Sequence, residues 1–516
     1  MGSDVFGRAR VPLLTAAQAA SADRAAHDAG IPERVLMENA GRAAALVLDR
    51  LHPRGSIVGV AGSGNNGGDL LVMLRVLHTW GRDAAVIAAG SAPPDPSLLH
   101  GFDLAITDAD DARARLILAG ADVLVDGMLG TGSAGAPRGR VAAWIDLLNA
   151  SPRAVCALDL PSGVDATSGA VTGTAVRADL TVTFGWPKIG LLLQPARQHC
   201  GRLVAVEIGF APFDENRIEG PLAFAVTPGM VRDRLRTRAA DAHKGSAGRL
   251  LILAGSTGMS GAAALTADAA LRAGAGLLRI ASASENRVIL QTLVPEATFL
   301  DAAALEADDL AAMHALVAGP GLGTKDDARA ALQRALDMTA GRPTLLDADA
   351  LNMLAEQSGA LRGIGDDRAL VVTPHAKELS RLTGDSVESI LADAPAAARA
   401  AADAFHCVVV LKWQPTLVAA PGGTLLVNTV GSSDAATAGM GDQLAGTIGA
   451  LLVGGADPLD AAALGLFLSS RAADIAALGR SLSPRDVSAH LHRAFADPGP
   501  ATADLPFITF DQPPRR

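Results

Sequence analysis

The sequence of 516 residues predicts an α/β protein of two domains, each with a central sheet between two layers of helices. Short apolar runs alternate with helical stretches and glycine turns, which is typical of parallel strands that are buried on both faces. This alternation lapses over residues 210–222, where proline, glycine and charged residues collect. A chain of this length is also too long for one compact core. We therefore expect domains over residues 1–214 and 223–497, and a loose tail over 498–516.

The N-terminal half opens with two predicted helices, at about 15–28 and 34–51, which are separated by the helix breakers Gly30 and Pro32. A strand–helix alternation follows these helices. Its apolar runs predict strands at 56–61, 83–88, 123–126, 154–160 and 180–184.

The C-terminal half contains a second alternation, which ends in a long predicted helical tract over residues 442–479. Because the two halves do not repeat each other's motifs, we interpret the chain as a fusion of two unlike domains. The apolar runs of this half predict strands at 249–254, 276–281, 315–318, 343–347, 370–373, 408–412 and 416–419.

Composition and charge argue against several classes of protein. Apolar residues make up 49% of the chain and charged residues 19%, which is ordinary for a globular protein. The net charge of −10 disfavours a nucleic-acid partner. Cys156, Cys200 and Cys407 are scattered, as expected of buried thiols in a reducing compartment. The first residues do not have the pattern of a secretory signal, and the apolar stretch at 442–457 is too short to span a membrane. We expect a soluble cytoplasmic protein with no membrane partner.

A glycine-rich loop, Gly-Ser-Gly-Asn-Asn-Gly-Gly-Asp at 62–69, lies between a predicted strand and a predicted helix. Its glycines match the dinucleotide fingerprint, in which the backbone approaches a pyrophosphate at the helix N-terminus. The alternative is an Asn-Gly hairpin turn, which fits less well because a helix follows. The next strand is followed by Ala89, Gly90 and Ser91 and has no carboxylate for a ribose. A nucleotide is therefore predicted here, but not bound as in a standard dehydrogenase.

Three further loops follow strands of the same predicted sheet, and they begin at Asp126, Asp159 and Phe184. Ligands of open α/β sheets bind at the carboxyl ends of the strands, so these loops can converge with the glycine-rich loop. Asn66, Asp126 and Ser162 would then bring together an amide, a carboxylate and a hydroxyl. Such hard oxygen donors suit an alkali or alkaline-earth cation rather than zinc. Each residue taken alone could instead be an ordinary cap or turn residue.

Residues 10–212 resemble the N-terminal YjeF family, the NAD(P)H-hydrate epimerases, and their predicted fold is a Rossmann-like αβα sandwich. The resemblance is carried by Leu-Met-Glu-Asn-Ala-Gly at 36–41, by the glycine-rich loop, and by Asp-Leu-Pro-Ser-Gly-Val-Asp at 159–165. Leu70 departs from the glycine that is usual at its position. The resemblance implies that Asn66, Asp126 and Ser162 are potassium ligands. It implies hydrate-binding positions at Asn65, Asn66, Gly67, Gly68, Asp69, Gly130, Thr131, Gly132, Ser133, Ala134, Gly135, Ala136 and Asp159.

Epimerisation at C6 of the hydrated nicotinamide ring requires the hydroxyl to leave and return, or the carbon to invert through an iminium-like state. We interpret Asp159 as the acid/base for this step and Lys188 as its electrostatic support.

The second chemical motif runs from Asn428 to Gly446, from a strand end through small residues into a long helix. Small residues allow backbone N–H groups to form an anion cradle, and Asp442 could face that cradle as a general base. Asp442 could instead be only a helix cap. The sequence Gly-Ile-Gly-Asp at 363–366 has similar letters, but a predicted strand follows it, so we interpret it as an ordinary turn.

Residues 225–495 resemble the ribokinase-like fold, and more narrowly the ADP-dependent NAD(P)H-hydrate dehydratases. The supporting segments are 243–248, 255–263, 270–276, 319–323, 347–352 and 373–378. The family implies that the hydrate is contacted by Ala262, Gly321, His375 and Asp442, although His375 could also be a core histidine. It implies that the nucleotide is contacted by Lys412, Trp413, Gln414, Pro415, Thr416 and Gly441. Two departures are Trp413, where a glycine is usual, and Asp434, in a segment that is usually Gly-Asn-Pro-Gly.

Together the two resemblances imply an enzyme that repairs hydrated NADH and NADPH. One domain would interconvert the R and S hydrates, and the other would dehydrate the S hydrate with ADP or ATP as phosphate donor. Asp442 would deprotonate the C6 hydroxyl for phosphorylation, Mg²⁺ would shield the phosphates, and K⁺ would bind the first domain. We expect a homo-oligomer. The alternative is a ribokinase-like kinase for a small molecule such as a vitamin precursor, with an N-terminal nucleotide-binding regulatory module.

Overall fold

The computed structural model describes residues 11–133, 135–238, 240–241, 247–357, 359–499 and 507–510. The chain divides into two compact units. Unit 1 comprises residues 1–223 and 501–516, and unit 2 comprises residues 224–500. The division falls beside the segment 210–222, where the strand–helix alternation lapses.

Unit 1 is an αβα sandwich, as predicted from the sequence. Its strands are β1 (Val11–Leu13), β2 (Ile57–Ala61), β3 (Ala84–Ala88), β4 (Ile106–Asp108), β5 (Val123–Gly127), β6 (Ala154–Leu158), β7 (Leu180–Phe184) and β8 (Arg202–Val206). Its helices are α1 (Ala16–Asp28), α2 (Glu33–Leu51), α3 (Asn65–Thr79), α4 (Ala112–Gly120) and α5 (Gly139–Ala150).

The sheet of unit 1 runs in the order β8-β7-β6-β5-β2-β3-β4, and every neighbouring pair in this run is parallel. Alternate residues of a strand point to opposite faces, so Ile57 belongs to the apolar cluster that includes Leu48 of α2, and Val58 to the cluster that includes Trp144 of α5. From β2 the chain moves outward to β3 and β4, and it then returns to β5 and continues the other way. The crevice between β2 and β5 is therefore a topological switch point, where open sheets bind ligands.

Unit 2 has the mixed α/β composition that the second alternation predicts. Its strands are β9 (Ala223–Val226), β10 (Arg249–Leu253), β11 (Leu277–Ser282), β12 (Thr298–Asp301), β13 (Ala315–Ala318), β14 (Thr344–Leu346), β15 (Leu370–Val372), β16 (Val408–Leu411), β17 (Leu417–Ala419) and β18 (Leu425–Asn428). Its helices are α6 (Pro228–Arg234), α7 (Ser260–Arg272), α8 (Arg287–Leu293), α9 (Ala307–Leu310), α10 (Asp326–Met338), α11 (Asp349–Ala355), α12 (Ala360–Asp367), α13 (Ala376–Thr383), α14 (Val387–Ala392), α15 (Ala394–Phe405), α16 (Met440–Val453), α17 (Pro458–Ala476) and α18 (Pro484–Ala496).

The sheet of unit 2 contains the order β9-β18-β17-β16-β15-β14-β13-β10-β11-β12. The pairs from β16 through β12 are parallel, whereas β16, β17 and β18 form antiparallel pairs. The chain moves from β10 outward to β12 and then resumes at β13 on the other side of β10. A second switch point therefore lies between β10 and β13.

Three expectations from the sequence need correction. The helical tract 442–479 is two helices, because Gly455 has a φ of 83° and Pro458 begins α17. The motif at 363–366 is not a turn but lies within α12, and the chain continues from the end of this helix into β15. The tail is not loose throughout, because a last strand, β19 (Phe507–Phe510), pairs antiparallel with β8. The rest of 500–516 lies outside the described residues.

Candidate active sites

The first site lies at the switch point of unit 1, where the loops after β2 and β5 come into contact. The backbone N–H of Gly62 donates to the carbonyl oxygen of Gly127 at 3.0 Å. A Cβ atom at Gly62 would overlap the carbonyl oxygen of Met128, so the two loops can approach this closely only with glycine at this position. Helix α3 begins directly after this turn, with Gly64 as its N-cap. Its first N–H groups therefore face the crevice.

Asp126 and Ser162 form a buried hydrogen-bonded pair beside this turn. The Oγ of Ser162 donates to Oδ1 of Asp126 at 2.7 Å, and the Ser162 N–H donates to Oδ2 at 2.8 Å. Burial raises the pKa of Asp126 to about 6, although the hydrogen bonds from Ser162 oppose that shift. Ser162 Oγ also accepts the Leu129 N–H at 2.9 Å, which ties the loop after β6 to the loop after β5.

Asn66 is linked to this pair because Asn66 and Ser162 both form hydrogen bonds with the backbone of Leu129. Its Nδ2 donates to the carbonyl oxygens of Leu129 and Leu158, at 2.8 and 3.0 Å, and these bonds fix the orientation of the amide. Its Oδ1 is buried and has no hydrogen-bond partner among the described residues. A buried acceptor left unsatisfied costs about 1–3 kcal/mol, so a cation would complete the environment of this atom. The structure thus brings together the three oxygen donors that the sequence predicted.

Asp159 and Lys188 form a buried ion pair at the same crevice. Lys188 Nζ lies 2.5 Å from Asp159 Oδ1 and also donates to the Phe184 carbonyl at 2.8 Å. Asp159 has a φ of 61°, an unusual conformation for a residue other than glycine. A Cβ at Gly130 would lie 3.3 Å from Cβ of Asn66 and 3.9 Å from Oδ2 of Asp159, so the ion pair adjoins the oxygen donors.

The charges of this ion pair affect the pKa values of two further carboxyl groups, Asp69 and Asp23. Burial raises the pKa of Asp69 well above its ordinary value, and the charge of Asp159 adds to the shift. Burial likewise raises the pKa of Asp23 in α1, although the charge of Lys188 opposes the shift. Asp69 was predicted from the glycine-rich loop. Asp23 was missed, because no motif surrounds it and only the packing of α1 brings it here.

The other predicted hydrate-binding positions lie along two loops. Asn65 Nδ2 donates to Glu33 Oε1 at 2.5 Å. Gly67 and Gly68 are buried, and a Cβ on either would collide with Gly62 or with Met37. Ala134 lies outside the described residues. Partly or fully exposed loop positions are Gly130, Thr131, Gly132, Ser133, Gly135 and Ala136.

The second site lies at the switch point of unit 2. The glycine loop after β13 contacts the start of α7, because a Cβ at Gly321 would lie 2.8 Å from Cβ of Ala262. Gly321 has a φ of 56°, and its carbonyl accepts the Ser256 N–H at 2.6 Å. The two predicted hydrate contacts Ala262 and Gly321 are therefore neighbours. Most of the supporting segment 243–248 lies outside the described residues.

Asp442 lies in the first turn of α16, whose N-cap is Gly439 with a φ of 89°. Burial raises the pKa of Asp442 to about 6, the charges of Asp347 and Asp349 add to the shift, and Lys412 opposes it. A carboxyl group with such a pKa can accept a proton near neutral pH. No side chain caps α16, so the start of this helix keeps N–H groups available to an anion.

Lys412 connects the predicted nucleotide segment to Asp442. Its Nζ lies 2.7 Å from Asp347 Oδ1 and 3.9 Å from Glu378 Oε2. Burial lowers the pKa of Lys412, but these carboxylates outweigh that effect and the pKa is raised. A Cβ at Gly441 would lie 3.6 Å from Lys412 Nζ, which places the lysine at the glycine-lined start of α16. Asp347 and Glu378 were not among the predicted contacts, although both lie in the motif segments.

His375 is the N-cap of α13 and not a core histidine. Its ring Nδ1 accepts the backbone N–H groups of Lys377 and Glu378, both at 3.1 Å. The backbone N–H of His375 donates to Glu378 Oε2 at 2.8 Å. The ring is about half exposed, at 47% of the side chain. The Lys412 N–H donates to the Pro374 carbonyl at 2.8 Å, so His375 and Lys412 lie at adjoining strand ends.

Of the two departures from the dehydratase pattern, Trp413 is exposed and Asp434 is partly buried. Trp413 is 47% exposed, and its carbonyl accepts the Thr416 hydroxyl at 2.9 Å, which closes a turn over the predicted nucleotide segment. The peptide bond between Gln414 and Pro415 in that turn is cis. Asp434 accepts the Ser432 hydroxyl at 2.9 Å.

Each unit thus carries a polar site at the switch point of its own sheet, one with a buried Lys–Asp pair and one with a partly buried carboxyl group at a glycine-lined helix start. This arrangement defines an α/β enzyme with two nucleotide-type ligand sites. A family model described as the YjeF-related protein N-terminus matches residues 33–190, and one described as NAD(P)H-hydrate dehydratase matches residues 250–493.

Relatives align with nearly the whole chain. The bifunctional NAD(P)H-hydrate repair enzyme Nnr of Moorella thermoacetica is 36% identical, and the alignment covers 91% of this chain and 93% of that protein. The Nnr enzyme of Escherichia coli is also 36% identical, with 86% and 85% covered. A solved structure of an ADP/ATP-dependent NAD(P)H-hydrate dehydratase from Bacillus subtilis is 30% identical, with a TM-score of 0.48, and it covers 52% of this chain and 96% of its own.

The chain belongs to the family of bifunctional NAD(P)H-hydrate repair enzymes. Both family resemblances that the sequence predicted are confirmed, and the alternative of a vitamin-precursor kinase is less supported. Among the described helices, none combines the length and the apolar composition that a bilayer-spanning segment needs.

Proposed function

We propose that the chain restores hydrated NADH and NADPH, with the epimerase site in unit 1 and the dehydratase site in unit 2. The observation that carries the proposal is that each unit has its own polar site at the switch point of its sheet. A binding or regulatory module would need no buried Lys188–Asp159 ion pair beside its glycine-rich loop.

In the epimerase site, Asp159 is the acid/base at C6 of the hydrated ring. Lys188 pairs with this carboxylate in a buried position, where an unpaired charge would be costly. The loop of Asn65 to Asp69 and the loop from Gly130 to Ala136 hold the rest of the hydrate. The glycines in these loops leave backbone N–H groups accessible to its phosphates.

Asn66, Asp126 and Ser162 would hold potassium. The partnerless Oδ1 of Asn66 supports this assignment, and so does the all-oxygen donor set. When bound, the ion supplies a positive charge that holds the loops after β2, β5 and β6 together.

In the dehydratase site, Asp442 takes the proton from the C6 hydroxyl as this oxygen attacks the terminal phosphate of ADP or ATP. The transfer releases AMP or ADP. Hydroxide is a poor leaving group, whereas the phosphate so formed at C6 leaves readily as the ring nitrogen donates its electron pair, and loss of a proton from C5 to water then restores the dihydronicotinamide ring. Lys412 and the N–H groups around Gly441 offset the charge of the nucleotide phosphates. The turn from Lys412 to Thr416 covers the nucleotide, and Ala262, Gly321 and His375 orient the hydrate.

Magnesium would be held mainly by the phosphates of the nucleotide. Within the described part of the chain, no group of three or more His, Cys, Asp or Glu side chains could hold a metal ion by itself. This fits Mg²⁺, which keeps several waters and binds through substrate phosphates. The ion supplies charge neutralisation during phosphoryl transfer.

The three cysteines are free and buried, which fits our proposal that the enzyme works in the reducing cytoplasm. We also propose a homo-oligomer, which light scattering of the purified protein would test.

The experiment is incubation of the wild-type protein with each epimer of hydrated NADH, with and without ADP. We expect both epimers to give NADH and inorganic phosphate only when ADP is present. A stable phosphorylated product without recovery of NADH would instead identify a small-molecule kinase.

A further inference from the structure

An open groove of about 470 Å³ lies beside the dehydratase site and has no role in the account above. It is lined by Thr324, Asn352, Ala355, Glu356 and Arg381. This volume is in the range of small-molecule pockets, roughly 300–1,000 Å³.

One residue of the groove lining follows the hydrate-binding loop in the chain. Thr324 follows Gly323, whose N–H donates to Asp349 Oδ2 at 2.8 Å. Asp349 is one of the carboxylates whose charge raises the pKa of Asp442. The loop that begins at the hydrate contact Gly321 therefore ends at the wall of the groove.

Two helices each hold one residue of the site and one residue of the groove lining. Asp349 and Asn352 are three residues apart on α11, and Glu378 and Arg381 are three apart on α13. Residues at this spacing lie on the same face of a helix, about one turn of roughly 5 Å apart. Asn352 and Arg381 are thus one helical turn beyond two carboxylates of the site.

The charge of the groove suits an anion. Arg381 Nη1 donates to Asn352 Oδ1 at 2.7 Å, and no carboxylate lies within ion-pair distance of its guanidinium among the described residues. The one acidic residue of the lining, Glu356, accepts Arg329 Nη2 at 2.6 Å and is neutralised by it. An unpaired guanidinium with a neutral amide beside it is a favourable partner for a phosphate.

We infer that the groove binds a phosphate of the dinucleotide substrate, with Arg381 as the anion ligand and Asn352 as the residue that positions it. This inference rests on the proposed function. With the hydrated ring at Asp442, the phosphates of the dinucleotide lie outside the ring site, and the groove places a guanidinium without a carboxylate partner one helical turn beyond Asp349 and Glu378.

The test compares Arg381→Ala with Arg362→Ala, a control that removes an exposed arginine from the neighbouring helix α12. We expect the KM for the S hydrates to rise by about 10-fold to 100-fold in Arg381→Ala, the loss expected for a charge-assisted hydrogen bond. The KM for ADP and the kcat should stay near wild type. Equilibrium binding of unmodified NADPH should weaken in parallel.

A second variant, Asn352→Asp, keeps the shape of the side chain and gives Arg381 a carboxylate partner, so it should also raise the KM for the hydrates. An equal loss for hydrated NADH and NADPH identifies the pyrophosphate as the bound group, and a loss for NADPH hydrate alone identifies the 2′-phosphate. An unchanged KM for both hydrates and unchanged NADPH binding in Arg381→Ala would overturn the inference. Wild-type dehydration of the hydrates would then still support the proposed function, whereas its absence would reject that function itself.

Discussion

Lys188 Nζ lies 2.5 Å from Asp159 Oδ1, and both side chains are almost completely buried. A buried charge depends on its partner, because removal of one partner leaves the other desolvated and uncompensated. This relationship links the stability of unit 1 to its proposed catalytic group.

Lys188→Met is expected to lower the free energy of unfolding of the protein by about 3–5 kcal/mol. Urea denaturation followed by circular dichroism would measure this loss. The double variant with Asp159→Asn should recover part of it, because the unpaired carboxylate is then gone. A double variant less stable than Lys188→Met would contradict the pairing.

Gly62→Ala is expected to impair epimerisation, because its Cβ would overlap the Met128 carbonyl and push apart the loops after β2 and β5. We expect a loss of stability of about 1–3 kcal/mol. Gly64→Ala is the matched control: no described atom lies within 4 Å of its Cβ, and its φ of −98° suits alanine. Thermal melting and epimer interconversion would compare them, and equal effects of the two substitutions would argue against the close approach.

Potassium is expected to stabilise unit 1. A ligand at 100 times its Kd adds about 2.7 kcal/mol to the free energy of unfolding. We expect melting curves in KCl to lie above those in LiCl at equal ionic strength. In Asn66→Ala, which removes the partnerless Oδ1, the two salts should give the same curve. A potassium effect that survives in this variant would place the ion elsewhere.

The dehydratase reaction is expected to lose activity in mild acid. Burial raises the pKa of Asp442 to about 6, so the carboxylate is charged above that pH and protonated below it. Because the base must be charged, kcat/KM should fall below pH 6, by about tenfold for each further pH unit. Asp349→Asn removes a charge that raises this pKa, and its profile should shift to lower pH. Initial rates across a pH series would check both expectations.

Much of the fold could be predicted because the buried strands are continuous apolar runs. The predicted runs at 123–126 and 315–318 correspond to β5 and β13, within a residue at each end. Strands that were not predicted are short or lie near a sheet edge. One example is β4, with only three residues, and another is β19 in the proline-rich tail. Such segments have too few residues for a periodic pattern, and their pairing depends on a neighbouring strand.

The oxygen-donor cluster could be predicted because parallel strands end at one edge of a sheet. Asn66 and Ser162 follow such strands and Asp126 lies at the end of another, so their positions alone suggested that they meet. The position of Asp23 could not be predicted, since α1 reaches the site by packing and not by a strand end. The hydrogen bonds of His375 as a helix cap likewise depend on where α13 begins, which the residues before it do not reveal.

The most direct test follows NADH recovery from the pure R hydrate and from the pure S hydrate, with ADP, in Asp442→Asn and Asp159→Asn. Asp103→Asn, an exposed carboxylate of unit 1, serves as the control. Asp442→Asn should recover no NADH from either epimer while still interconverting them. Asp159→Asn should recover NADH from the S hydrate at the wild-type rate and from the R hydrate about 10²-fold to 10⁴-fold more slowly. NADH recovery by Asp442→Asn at the wild-type rate, or equal loss for both epimers in Asp159→Asn, would contradict the assignment of one reaction to each unit.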